Sequence, residues 1–531
     1  MSSNTQIGRL LAARFAKFDG TPHSEGRVVF WHDEAGEFSE EVDSIVGPEA
    51  ENEALRDVEL VRLESNPFAL KYRIMLAEPT TKFLVYVEGK LPSNEDNWLL
   101  DLEIAYGPWF TADKLSMILN ELFPREASAE TRRDWLAIMQ RCKPFFDDDD
   151  LVQALQQRLR AEDDAKTFQA KMIASLLGLP VGEHSLQAIW RELLTQYAKD
   201  SARGIETIEA MGLADYHWAG TRGIYRFDSG NQLNKPTVKD FVIWLFRLAW
   251  NGFSDAENSI DYYANVRRDF DTWRNNPKTT PVIQRLASEV FPDLSLDNTI
   301  ATMSLAELEQ HDVFSEVDEQ IVELLYKALD NADVTDEDVQ RIIAARRYGL
   351  WFSRFANDYD IIASASALRA MLRQCQPIVE SISSPQNGFE AYTNSLYQVD
   401  GCYRRFIAAW KIGSPSRDRD IADSLEREYS RYQSELGVAW QRQVGKMDSW
   451  AIAGVSSQTE FYARNVKTVT DAHKKIAVII SDALRYEVAE EFCRKLNEQS
   501  RWTASITAQL STLTSYTKLG METLLMNPEL S

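Results

Sequence analysis

Two short segments of the chain carry residue types and spacing suited to chemistry. The first, Ile476–Glu487, reads I-A-V-I-I-S-D-A-L-R-Y-E, so an acid, Asp482, closely follows an apolar, β-branched run. A run without alternation reads as a strand buried on both faces. Asp482 then sits at the carboxyl end of that strand, the edge where open α/β sheets bind ligands. A carboxylate there, at the opening of a helix, is placed to hold a divalent cation. The plainer reading of Asp482 is a helix N-cap. The second segment, Ser511–Met521, reads S-T-L-T-S-Y-T-K-L-G-M, and its Thr517 lies 35 residues beyond Asp482. It too follows an expected strand and opens an expected helix. A hydroxyl at such a position can approach a metal and act as a nucleophile, and the helix N–H groups favour the phosphate it attacks. Here also the plainer reading is a cap, because Ser and Thr are common N-cap residues.

Other catalytic signatures are missing from the sequence. There is no GxxxxGK[ST], no GxGxxG after a strand, no HExxH and no GxSxG. Six histidines (His23, His32, His184, His217, His311, His473) are scattered and form no local metal cluster. Phe30–Glu34 (F-W-H-D-E) has the form of a strand ending in a metal-binding acid pair. Without a phosphate loop, it reads better as a strand end leading into an acidic surface loop. Arg341, Arg346 and Arg347 lie near Tyr348, Trp351 and Phe352. That grouping suits either an aromatic-basic patch for nucleic acid or, more plainly, an amphipathic helix whose arginines reach out to solvent.

The elements that must position Asp482 and Thr517 belong to a large chain. It has 531 residues, with 58 Lys+Arg against 81 Asp+Glu and a net charge of −23. A hydrophobic content of 44% beside 26% charged residues excludes global disorder. The acidic balance gives no support to non-specific nucleic-acid binding through overall charge. Four cysteines (Cys142, Cys375, Cys402, Cys493) form no CxxC pair, which argues against a disulfide framework and fits a reducing cytoplasm. Met1–Lys17 does not read as a signal peptide. The longest apolar stretch, Phe241–Trp250, is too short to span a bilayer.

The pattern divides the chain into three regions: residues 1–125, 126–455 and 456–531. The first reads as a small α/β domain, with strands at Arg27–Trp31, Val58–Leu63 and Lys82–Val87 and a helix over Thr111–Phe123. The second is a large, mainly helical middle, with a possible sub-boundary near 275–300. Its helices include Ala127–Gln140, Leu151–Arg160, Ser185–Ala198, Val238–Trp250, Ser315–Ala332, Thr335–Trp351, Ala363–Gln374 and Ile421–Val438. The acidic run Asp147–Asp150 stands at the front of one of them, where it complements the helix dipole. The third begins an α/β sandwich: a strand at Lys475–Ile480, a helix at Glu487–Gln499, a strand at Trp502–Thr507 and a helix at Leu519–Met526. The expected fold class is therefore multidomain α+β.

Taken together, D-A-L-R-Y-E and T-S-Y-T-K-L-G-M resemble the opening of the PglZ domain of the alkaline phosphatase superfamily. The order of regions is similar to that of the type A PglZ family of BREX phage-defence systems. The resemblance implies that Asp482 is a metal ligand and that Thr517 is the nucleophile and also touches metal. Ser515, two residues earlier, stays open as the alternative nucleophile, and Thr514 stands where many relatives carry Pro. Arg485, Tyr486 and Glu487 belong to the signature without an assigned role. The resemblance further implies two zinc ions, hydrolysis of a phosphomonoester or phosphodiester, and a phosphorylated substrate of unknown kind. It implies other BREX proteins as partners, DNA contact in the wider system, and no membrane. The remaining ligands would fall beyond Ser531. The expectation is therefore an incomplete domain that is catalytically inactive alone and binds zinc weakly or not at all. The alternative is a non-catalytic scaffold or a regulatory phosphate-binding subunit of a defence complex.

Overall fold

Near the N-terminus, an apolar run, an alternating run and a second apolar run form strands β1 (Val28–Asp33), β2 (Val58–Arg62) and β3 (Lys82–Glu88). A two-residue strand, β4 (Phe110–Thr111), joins them, and the order is β2-β3-β1-β4 with every pairing parallel. Parallel sheets are covered on both faces, which is why β1 and β3 are apolar along their length. Val29, Trp31, Leu84 and Tyr86 pack on one side with Ile7, Leu11 and Phe15 of helix α1 (Ser3–Phe15). Val28, Phe30, Phe83 and Val85 pack on the other with Leu70, Ile74, Leu99 and Leu102. The helix expected from Thr111 starts instead at Lys114, because the Thr111 backbone pairs with His32 in the sheet.

The computed structural model describes residues 3–63, 66–90, 96–106, 109–122, 128–230, 235–330, 334–413 and 419–524. The expected helix ends at Phe123, Ala127, Ala332 and Met526 lie outside them. The chain divides into two units, Met1–Ile283 and Gln284–Ser531. Among the described residues, no helix is long and apolar enough to cross a membrane.

Beyond the sheet, the first unit is helical. Helix α2 (Val238–Trp250) begins with a capping box between Thr237 and Asp240 and buries Phe241, which stacks on Trp190 with ring centroids 3.6 Å apart. The acidic run behaves as its position suggests, since the Asp148 carboxylate accepts from the backbone N–H groups of Asp150 and Leu151. His217 is enclosed by Trp190 and Trp218, and burial pushes its imidazole down to about 4.

The second unit is built on long helices: α3 (Phe352–Glu380), α4 (Tyr397–Ile412) and α5 (Arg419–Val444). Helix α6 (Tyr486–Asn497) docks on α4 through an Arg404–Glu491 ion pair and through Tyr486, whose ring lies 5.3 Å from that of Tyr397. Of the arginines of 341–347, Arg341 and Arg347 are exposed, as an amphipathic helix would place them, and the third is not. Arg346 is buried and pairs with Asp318, while Arg341 pairs with Glu309 at 2.6 Å. Trp351 is also buried, its indole N–H donating to the Val313 carbonyl at 2.9 Å.

The C-terminal strands differ from expectation. Lys475–Ile480 and Trp502–Thr507 are not strands, and Lys475–Ile480 is exposed throughout, Ile479 to 92%. A strand needs a neighbour to take its N–H and C=O groups, and among the described residues neither segment has one. One parallel bridge, Ser457 to Leu510, stands in this region. The two helices do form, as α6 and as α7 (Thr517–Thr523).

Candidate functional site

Asp482 lies in a turn between the exposed 475–480 segment and α6. The next residue, Ala483, has a φ of 57°, a left-handed conformation that side chains other than glycine's adopt at a cost. Thr517 is the first residue of α7. The Thr517 hydroxyl donates to Asp482 Oδ2 at 3.1 Å, and both side chains are exposed. The two halves of the motif, 35 residues apart, therefore meet.

Neither residue caps a helix. The N-cap of α6 is Arg485 and that of α7 is Tyr516, and neither position makes a side-chain capping bond. The Thr517 hydroxyl is turned to the carboxylate and away from the backbone of its own helix. Ser515 is exposed just before α7; of the two candidate hydroxyls, it is that of Thr517 which reaches Asp482.

Three contacts that sequence reasoning missed position α7. The Gln458 side chain donates to the Gly520 carbonyl at 2.9 Å. The Trp450 indole donates to the Ser511 carbonyl at 2.7 Å. The Gln458 backbone N–H donates to the Leu510 carbonyl at 2.9 Å. Polar side chains that bind distant carbonyls carry no periodic signal, so nothing in the sequence marks Trp450 or Gln458.

Of the rest of D-A-L-R-Y-E, Ala483, Leu484 and Arg485 are exposed, Tyr486 is half-buried and Glu487 is buried. The Arg485 guanidinium is held up by the Tyr429 hydroxyl, and its Nη1 stands 3.9 Å from Glu487 Oε1. Tyr429 also donates to Asp400 at 2.7 Å, and burial, followed by that bond, raises its own hydroxyl. Glu487 is only 3% exposed. Its place in the signature was legible, but its burial was not.

The donor chemistry limits what this site can hold. Asp482 and Thr517 present one carboxylate and one hydroxyl. Among the described residues no group of three His, Cys, Asp or Glu could hold a metal ion. A zinc centre takes at least three protein ligands, so the residues present do not by themselves compose one.

Comparison with known proteins gives the class first. Residues 461–531 match the family model of the BREX system PglZ alkaline phosphatase-like domain. Over nearly its whole length the chain is similar to two curated proteins. It is 27% identical over 532 residues to the alkaline phosphatase-like protein PglZ of Bacillus cereus (strain H3081.97), covering 98% of this chain and 60% of the relative. It is also 27% identical over 545 residues to the alkaline phosphatase-like protein BrxZ of Escherichia coli O9:H4 (strain HS), covering 96% and 60%. The chain thus spans about 60% of the length of these relatives. No solved structure matches.

Proposed function

We propose that this chain acts in a BREX-type phage-defence system as its phosphatase-like component, with Thr517 as nucleophile. The observation that carries the reading is the Thr517–Asp482 contact, made by two side chains that cap nothing. In this reading Asp482 orients the hydroxyl and draws on its proton while the oxygen attacks phosphorus. A bond forms from Thr517 Oγ1 to phosphorus, the bond to the leaving oxygen breaks, and water later releases the phosphoryl group. Ser515 is the second candidate. Zinc is the proposed cofactor, with Asp482 and Thr517 as this chain's contribution to its ligands. The exposed Lys475–Ile480 run would be the central strand of an alkaline-phosphatase-like sandwich once strands and helices cover it. The proposed partners are other proteins of the defence system and a phosphorylated substrate, with DNA a contact of the wider system. The proposed location is the cytoplasm.

The test is phosphomonoesterase and phosphodiesterase turnover by the intact protein that carries this chain, with zinc added, beside Thr517→Ala and Ser515→Ala. Loss with Thr517→Ala alone supports the reading, whereas loss with Ser515→Ala alone moves the role to that residue. The small donor set favours a second reading, a non-catalytic scaffold or regulatory phosphate binder. Defence that survives both Asp482→Ala and Thr517→Ala would establish it.

A further inference from the structure

Helices α3 and α5 flank an open cleft of about 320 Å³ in the second unit. Arg369, Arg373 and Gln376 line it from α3, at steps of four and three residues, and Glu428, Arg431 and Glu435 line it from α5, at steps of three and four. Such steps keep residues on one helix face. The cleft is tied at both ends. Arg369 Nη2 stands 3.2 Å from Glu428 Oε1, and the Gln376 side chain donates to Glu435 Oε2 at 2.8 Å. Both ties join residues 59 apart in the chain, so the two helices run in the same direction here. On each helix the ties are two turns apart, about 10 Å. Arg373 and Arg431 fall at one level between them.

That middle level lacks an acid. Arg373 and Arg431 are both exposed, and neither has an ion pair or hydrogen bond among the described residues. The two carboxylates are engaged at the ends, where Glu428 also accepts from the Ser424 hydroxyl at 3.3 Å. Arg369 is turned into the wall, donating to the Leu329 carbonyl and, at 3.2 Å, to the Ser424 hydroxyl. Three arginines against two carboxylates leave the cleft one positive charge in excess, within a chain of net charge −23. Two guanidinium groups on one cleft repel each other until an anion stands between them.

We infer that this cleft binds a phosphate group, of inorganic phosphate or of a small phosphomonoester, between Arg373 and Arg431. A dianionic phosphate balances both free charges and has oxygens enough for two guanidinium forks on opposite walls. A carboxylate has one charge and two oxygens, which a single fork fills. Nucleic acid fits poorly, because the positive face is only two helical turns long and the chain around it is acidic.

The inference does not rest on the phosphatase reading. Isothermal titration of the intact protein carrying Asp482→Ala and Thr517→Ala tests it, since that background removes the other place proposed to meet phosphate. The probes are inorganic phosphate, phenyl phosphate and, as the carboxylate control, acetate. The expected result is saturable phosphate binding that falls at least about tenfold in Arg373→Gln and in Arg431→Gln. Arg347→Gln, at an arginine exposed elsewhere, leaves it unchanged. Glu435→Gln removes a negative charge beside the anion and strengthens binding about twofold or more. Neither Arg373 nor Arg431 is paired, so replacing them does not lower the melting temperature. Tighter binding of phenyl phosphate than of phosphate marks a phosphomonoester as the ligand, and equal or weaker binding marks inorganic phosphate. Acetate binding as tight as phosphate binding, undiminished binding in the two arginine variants, or no saturable phosphate binding at millimolar concentration would each overturn the inference.

Discussion

Replacing Asp318 with Ala tests the buried ion pair that the sequence disguises. Side-chain exposure is 4% for Arg346 and 1% for Asp318. Arg346 Nε donates to Asp318 Oδ1 at 3.0 Å, and its Nη2 donates to Oδ2. The Tyr359 hydroxyl donates to Oδ1 at 2.6 Å, and Arg346 Nη1 donates to the His311 carbonyl at 2.7 Å. Without the carboxylate, the guanidinium keeps one acceptor and the tyrosine hydroxyl keeps none of these. Removing one partner of such a pair costs about 3–5 kcal/mol, mostly because the other charge stays buried and unpaired. Asp318→Asn keeps the shape and one acceptor, so its cost is smaller. Arg346→Ala alone is similarly destabilising, but the double variant Asp318→Ala/Arg346→Ala falls short of the sum by at least about 2 kcal/mol. The assay is equilibrium urea unfolding followed by circular dichroism, with hydrogen exchange on α3 assigning the loss to this unit. A cost below about 1 kcal/mol for Asp318→Ala, or strict additivity in the cycle, would refute the argument.

Three further outcomes are expected. Thr517→Ala changes stability by less than about 0.5 kcal/mol, because its hydroxyl caps nothing and its bond to Asp482 is exposed; a cap would cost about 1 kcal/mol in the same urea titration. Lys495 and then Arg404 hold the Glu491 carboxyl down to about 2, so this pairing is fully present above the ordinary range near 4.5 and is lost as pH falls toward 2. Glu491→Gln therefore costs about 1 kcal/mol at pH 7 after allowance for solvent, and the gap from the parent narrows below pH 5 in unfolding curves taken across pH. In the 531-residue chain by itself, Ile479→Lys changes the unfolding free energy by less than about 0.5 kcal/mol and raises solubility measured by light scattering, because Ile479 is 92% exposed in an unpaired apolar run.

The local pattern determined most of the elements. Strands β1 and β3 were legible because parallel strands buried on both faces are apolar along their length, and β2 from its period-two alternation. Helices α2 and α6 were legible from their apolar spacing. Within the candidate site, the residue types and order of D-A-L-R-Y-E and T-S-Y-T-K-L-G-M picked out Asp482 and Thr517 without any structure. Lys475–Ile480, read as a strand, stands unpaired among the described residues for a physical reason: an apolar run states what it could bury, whereas a ladder also needs a neighbour's N–H and C=O groups.

The tertiary structure decided the pairings. The strand-end Asp33 had an open reading as a metal ligand. The fold uses its carboxylate to accept from the backbone N–H groups of Glu37 and Phe38 at 3.0 and 2.8 Å and from the Tyr86 hydroxyl. Arg346 read as solvent-facing, and the fold buries it against Asp318. Glu487 lay in plain sight inside the signature, yet only packing buries it and brings Arg485 Nη1 to 3.9 Å from its Oε1. Periodicity records which residues turn inward from their own helix or strand. The partner that a charged group meets there belongs to another part of the chain, and only the folded backbone brings the two together.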